Sequence, residues 1–297
     1  MKRKKKLHLA LAIFLIFTIC AMVFVLFVYD SDRDINIKKE RQETETANSK
    51  LDKNDNAKQI KKQDENNSDE ALKTEEIDWQ PIIEKYKGKE ITKINTAEKI
   101  VALSFDAGAN ADGVDKVLDI LEKENIKGTF FLTGKFIEKY PDKVQKIISS
   151  GGDLGNHSYS HPYFTQITSE EIIAELEKTE SLLSEFNAEF KPFFRFPYGD
   201  RDIQSREIIN NKNYIDIRWT IDSLGWKGTS GGMTTELVEN RVISKTVLGA
   251  IIMMHLGSNL DDKTHLDSEA LPEIILELRK QGYKFMALTE LLDVNNF

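Results

Sequence analysis

The chain has 297 residues, 40% apolar and 30% charged, with a formal net charge of −8, which provides for a full core in one or two domains. Its one cysteine rules out an intrachain disulfide. Residues 95–297 carry 22 basic and 32 acidic side chains, a net of −10 that repels nucleic-acid phosphates, and no Gly-x-x-x-x-Gly-Lys or post-strand Gly-x-Gly-x-x-Gly loop suggests a nucleotide.

Met1 is followed by five basic residues, and Leu9 to Tyr29 is an uncharged apolar run of 21 residues. As a helix that run is about 32 Å long, the thickness of a bilayer core. Residues 1–30 are therefore expected to form a single-pass membrane anchor. The basic end would lie against anionic cytoplasmic lipid, with everything after Asp30 outside the cell. A cleavable signal peptide is the competing reading, but Phe24 to Tyr29 lacks the small-x-small pattern of a cleavage site. Residues 31–78 hold 14 acidic and 10 basic side chains in 48, with six large aliphatics and no aromatic, Gly or Pro. Such a segment is expected to be a disordered tether spanning roughly 40 Å root-mean-square. Residues 79–94 lead into a folded domain over 95–297.

Within that domain Ile100 to Phe105 reads as a buried strand, and Val114, Val117, Leu118 and Leu121 mark one face of a helix. Thr129 to Leu132 is a second strand, followed by a helix after Pro141 and a short strand over Asp153 to Gly155. Thr168 and Glu171 form a capping box for a long helix carrying Ile172, Leu176 and Leu183. Further strands are predicted at Phe193 to Phe196, Tyr214 to Ile221, Ala250 to Met254 and Lys284 to Ala287, with helices near Glu236 to Ser244 and Leu271 to Gln281. About seven strands alternating with helices imply an α/β fold with a parallel sheet, closed or nearly closed into a barrel.

The polar residues fall at the strand ends. Asp106 follows the first strand, His157 and His161 the third, Arg195 and Tyr198 the fourth, Asp222 the fifth and His255 the sixth. In a parallel barrel the loops after the strands build the active site. His157 and His161 are four positions apart among small or hydroxylated neighbours, ahead of Pro162, and can turn towards one divalent cation.

These residues resemble a known family. Ser104-Phe-Asp106-Ala-Gly108, His157-Ser-Tyr-Ser-His161, Arg195-Phe-Pro-Tyr198-Gly199, Asp222-Ser-Leu-Gly-Trp226 and Met253-Met-His255 are similar to the five ordered motifs of the polysaccharide deacetylases, carbohydrate esterase family four, across residues 95 to 293. The resemblance implies a deformed (β/α) barrel that removes N-acetyl groups from N-acetylhexosamine polymers with a divalent metal, usually zinc, cobalt or another divalent ion being the alternative.

It implies a metal on His157 and His161, Asp106 as general base held by Arg195, and an oxyanion-binding backbone N–H near Tyr198. His255 is expected to be the general acid, kept protonated and aligned by Asp222. Trp226 is expected to wall the sugar groove, with core packing as its alternative. Two positions depart from the pattern. Ala107 stands where a second aspartate supplies the third metal ligand, which leaves Asn110, Asp112, Asp200 or a shifted Asp106 as substitute donors. Gly225 stands where an acidic residue often precedes the tryptophan. The expected substrate is peptidoglycan or another N-acetylglucosamine polymer within reach of the tether. A wall-binding protein weakened at Ala107 and an O-acetyl sugar esterase are the alternatives.

Overall fold

A computed structural model describes residues 77–292. The expected anchor, and the expected tether apart from Ile77 and Asp78, lie outside the described residues. Among the described residues no helix is long and apolar enough to cross a membrane.

The strands are β1 (Glu90–Ile91), β2 (Ile100–Ala107), β3 (Thr129–Leu132), β4 (Asp153–Asn156), β5 (Phe193–Phe194), β6 (Ile215–Ile217), β7 (Ile221–Asp222), β8 (Ala250–His255) and β9 (Lys284–Phe285). They form one sheet in the order β1-β6-β5-β4-β3-β2-β8-β7, with β9 beside β2, and every ladder is parallel. The helices are α1 (Gln80–Tyr86), α2 (Val114–Lys123), α3 (Gly134–Lys139), α4 (Pro141–Ser149), α5 (Ser169–Ser184), α6 (Ile203–Asn211), α7 (Thr235–Lys245), α8 (Leu266–Lys280) and α9 (Leu288–Leu292). The result is the curled parallel sheet of a deformed (β/α) barrel.

The strand expected over Tyr214 to Ile221 is two strands far apart in the sheet order, β6 second from one end beside β1 and β7 at the other end. Arg218 donates its backbone N–H to Ile91 O at 2.8 Å, and Thr220 donates its own to Ile251 O at 2.8 Å. The chain thus changes neighbours from β1 to β8 between these residues and bridges the gap in the curl. Residues 79–94, read from sequence as a lead-in, belong to the fold. β1 pairs with β6, and Ile82, Ile83, Ile91 and Ile94 are core residues.

Side chains alternate across β2, which sorts the core into two layers. Val101, Leu103, Phe105 and Ala107 pack outward with residues of α2, α7 and α8. Ile100 and Ala102 face the other way, with Phe131, Phe193 and Ile251 and with residues of α1 and α9. Further along that inner face the apolar filling gives way to Ser104 and then Asp106, both buried. Apolar packing below therefore supports a polar cluster above it.

The predicted capping box of α5 is present: Thr168 Oγ1 accepts the Glu171 N–H at 3.2 Å, and the Glu171 carboxylate accepts the Thr168 N–H at 2.8 Å. This helix start places Glu175 beside the loop that carries the paired histidines.

Candidate active site

Asp106 and His255 are direct register partners on the adjacent strands β2 and β8, so their side chains emerge together at the C-terminal end of the sheet. The neighbouring strands β4 and β5 deliver His157 and Arg195 just past their ends. Parallel pairing is what brings residues so distant in sequence to one edge.

Arg195 is wholly buried, and each of its three guanidinium nitrogens donates a hydrogen bond. It donates from Nη1 to Asp106 Oδ1 at 2.6 Å, from Nη2 to Ser104 Oγ and Arg218 O at 3.0 Å each, and from Nε to Ile217 O at 3.2 Å. Its guanidinium also lies over the Phe131 ring, 3.9 Å from the centroid. Burial alone would raise the Asp106 carboxyl, but the guanidinium, reinforced by His157 and His255, holds it below the ordinary carboxylate range. Asp106 is thereby an anion with Oδ1 committed to Arg195 and Oδ2 turned to His157, 3.5 Å from Nε2.

The segment from His157 to His161 is a tight, pinned loop. Ser158 and His161 both have positive φ, 64° and 63°, a conformation that non-glycine residues adopt at a cost. Glu175 offsets that cost by accepting the N–H groups of Tyr159 at 2.9 Å and Ser160 at 2.6 Å, together with the Ser160 hydroxyl at 2.7 Å. Asn156 adds a further bond, accepting the Ser158 N–H at 2.9 Å. The two imidazoles end edge to face, 4.8 Å between centroids.

His157 Nδ1 lies 2.8 Å from Arg195 O, and since a carbonyl only accepts, Nδ1 carries the proton and Nε2 keeps its lone pair. Burial lowers the pKa of both rings, His161 to about 3. Both are neutral at ordinary pH, as ligation requires, and a backbone carbonyl orienting the far nitrogen is the usual outer partner of a metal-bound histidine.

The donor chemistry therefore fits a divalent cation at two positions. A third donor is a different matter, because among the described residues no group of three or more His, Cys, Asp or Glu side chains is arranged to hold a metal. Ala107 is fully buried in the outer apolar layer. Three of the four substitutes named from sequence are engaged elsewhere, Asn110 with Ser258, Asp112 with the Ser258 hydroxyl and Asp200 with Thr165, while Asp106 keeps Oδ2 3.5 Å from His157 Nε2.

His255 differs from the expectation in its partner. The carboxylate beside it is Asp267, at the start of α8, whose Oδ2 accepts the His255 N–H at 2.9 Å and lies 3.5 Å from Nδ1. Asp222 instead accepts the Leu224 N–H at 2.8 Å and the Trp226 indole N–H at 3.4 Å, which builds the turn presenting Trp226. Burial would lower the His255 pKa, but Asp267, Asp106 and Asp222 together outweigh it and raise it, Asp267 contributing most. Sequence reasoning missed Asp267. An acidic residue in the first turn of a helix is commonplace, so nothing local singled it out.

The groove above these residues has a volume of about 720 Å³ and is lined by Asp106, His157, His161, Tyr198, Trp226 and His255 among others. Tyr198 is 57% exposed and Trp226 46% exposed, so neither is core packing. Tyr198 stacks on Tyr163 at 4.2 Å and meets His161 edge to face at 4.4 Å. Tyr163 was not singled out from sequence, yet it completes an aromatic shelf next to the histidines.

Residues 93–215 match the family model described as polysaccharide deacetylase. Over 221 residues the chain is 32% identical to a peptidoglycan-N-acetylglucosamine deacetylase of Bacillus cereus, covering 73% of this chain and 77% of that one. It is 30% identical over 212 residues to the peptidoglycan-N-acetylmuramic acid deacetylase PdaA of Bacillus subtilis, covering 71% and 77%. Among solved structures, a CE4 family pseudoenzyme from Bacillus anthracis superposes with a TM-score of 0.64 at 30% identity over 71% of each chain, and a mutant of it has restored enzymatic activity. The strand-end motifs, the curled parallel sheet and these likenesses agree: the chain belongs to the polysaccharide deacetylases, carbohydrate esterase family four, hydrolases acting on the N-acetyl groups of polysaccharide.

Proposed function

We infer that this chain deacetylates N-acetylhexosamine residues of peptidoglycan with the help of a divalent metal, zinc in the first instance. The observation that carries the reading is the buried Arg195–Asp106 pair, which keeps one carboxylate oxygen ionised and turned to the neutral imidazole of His157. A divalent ion held by His157 and His161 would supply an acidified water and a polarised carbonyl. Asp106 takes a proton from the attacking water at Oδ2. The water oxygen adds to the acetamide carbon, the C–N bond breaks, and His255 gives a proton to the departing amine, leaving acetate and a free amino sugar. Tyr198, Tyr163 and Trp226 offer faces against which sugar rings rest. The basic end, the apolar run and the charged segment before residue 79 support a membrane-tethered domain working on the wall outside the cell.

A second reading is favoured by Ala107 and by the likeness to a pseudoenzyme: a wall-binding protein that keeps the groove and has lost turnover. Retention of an ionised Asp106 opposite a protonatable His255 supports the enzyme, since a binder has no use for an acid and base pair. Acetate release by the full chain from peptidoglycan and from chitin oligomers, with and without divalent metal, separates them. Metal-dependent release that His157→Ala abolishes carries the deacetylase. Glycan binding without release under any divalent metal carries the binder, and preference for acetate esters over amides would make the chain an O-acetyl esterase.

A further inference from the structure

Two buried polar atoms near the groove have no hydrogen-bond partner: His255 Nδ1 and Asp267 Oδ1. They belong to neighbouring side chains. Asp267 is only 4% exposed, and its Oδ2 sits 3.5 Å from that same Nδ1 while accepting the His255 backbone N–H. A carboxylate buried this deeply persists only beside a compensating group. His255 is the cationic partner that the contacts of Asp267 provide.

The other carboxylate oxygen explains a glycine. A Cβ built on Gly225 would lie 2.3 Å from Asp267 Oδ1 and 2.5 Å from Cγ. Real Cβ atoms do not approach so closely, so the carboxylate occupies the space that any side chain at position 225 would enter. Gly225 lies in the turn that follows Asp222 and leads into Trp226, directly beside His255. The sequence thus places an acid at 267 and no side chain at 225, and either arrangement excludes the other.

We propose that Asp267 is the positioning residue for His255, its carboxylate filling the place left by Gly225, fixing the buried Nδ1 edge of the imidazole and leaving the other edge to the groove. His255 keeps 26% of its side chain exposed, and that exposed part lines the groove. The assignment rests on the reading of His255 as the proton donor, and it names which carboxylate serves it. Five titratable groups face or approach this imidazole: Asp267 from α8, Asp106 from β2, Asp222 from β7, and His157 and His161 from the loop after β4. Of the three carboxylates, only Asp267 lies within 4 Å of it.

The test is a charge relocation in the full chain. Asp267→Asn preserves volume, Asp267→Ala empties the space, and Gly225→Asp combined with Asp267→Ala returns a carboxylate from the other side. The His255 titration is followed by NMR of carbon-13-labelled histidine, with the signal assigned by its loss in His255→Gln. Asp267→Asn is expected to lower the His255 midpoint, move the alkaline limb of turnover to lower pH, and cut kcat roughly tenfold to a hundredfold with KM little changed. The double variant is expected to regain at least about tenfold over Asp267→Ala, while Gly225→Asp alone is damaging because two carboxylates then meet. An unchanged His255 midpoint in Asp267→Asn, or a double variant no better than Asp267→Ala, overturns the assignment. A wild-type chain that releases no acetate would sink the deacetylase reading, yet the NMR titration would still decide the pairing.

Discussion

Arg195 Nη1 meets Asp106 Oδ1 at 2.6 Å with both side chains buried, and no other charged pair in the groove is as close. Each partner is the other's compensation, so removing one leaves an unpaired charge in the interior. Arg195→Met removes both the charge and the fork that reaches Ser104, Ile217 and Arg218. It is expected to lower unfolding stability by about 3–5 kcal/mol, the range for breaking a buried pair, as read by denaturant titration. Asp106→Asn retains the shape and is expected to lower acetate release by about 10²–10⁴, the range of a general base. Turnover unaffected by Asp106→Asn would remove the base from this position.

The absent third donor can be tested from Ala107. Its side chain lies in the apolar layer outside β2, on the opposite face from Asp106. A carboxylate there is costly unless it is neutralised, so Ala107→Asp is expected to lower the Tm of the metal-free chain. Added zinc is then expected to raise Tm by more than it does in wild type, because ligand binding to the folded state adds stability in proportion to affinity. Thermal melts against zinc concentration read both effects. A destabilised variant without a metal-dependent gain would show that residue 107 stays turned to the core even when metal is present.

Much of this site was legible because polar residues interrupt otherwise apolar runs. Asp106 stands one residue before the end of β2 and His255 closes β8, and the alternation that buries Val101, Leu103 and Phe105 on one face puts Ser104 and Asp106 on the other. What escaped detection depended on contacts no local pattern carries. The apolar alternation runs unbroken through residues 214–221, although the chain changes strand partners at Arg218 and Thr220. β1 and β7 are two residues each, too short for any period to register. Asp222 attracted the role of aligning His255 by its place in a motif. The side chain that lies there comes from a helix 12 residues past His255, and a missing Cβ at Gly225 makes room for it.

Asp222 then has a different expected phenotype. Its carboxylate holds the turn at Leu224, where φ is 64°, and bonds the Trp226 indole, while its carbonyl accepts from Arg241 Nε at 2.6 Å. Asp222→Asn is expected to loosen Trp226 in the groove and raise KM several-fold with a smaller change in kcat, the mark of lost ground-state binding. Steady-state kinetics on chitin oligomers separate the two constants. A collapse of kcat at constant KM would return Asp222 to the chemistry of His255.

Tyr198 offers a way to separate backbone strain from ring contact. Its φ of 57° and ψ of 2° place it in the left-handed region, where a side chain costs roughly 1 kcal/mol and glycine pays nothing. The ring is more than half exposed over the groove and stacks on Tyr163. Tyr198→Ala and Tyr198→Gly both delete the ring and are expected to raise KM for oligomeric substrate alike. Only the glycine variant relieves the backbone, so it is expected to be about 1 kcal/mol more stable than the alanine variant in denaturant titration. Equal stabilities would mean that the left-handed conformation relaxes once the ring is gone, and that the ring's contacts with Tyr163 and His161 impose it.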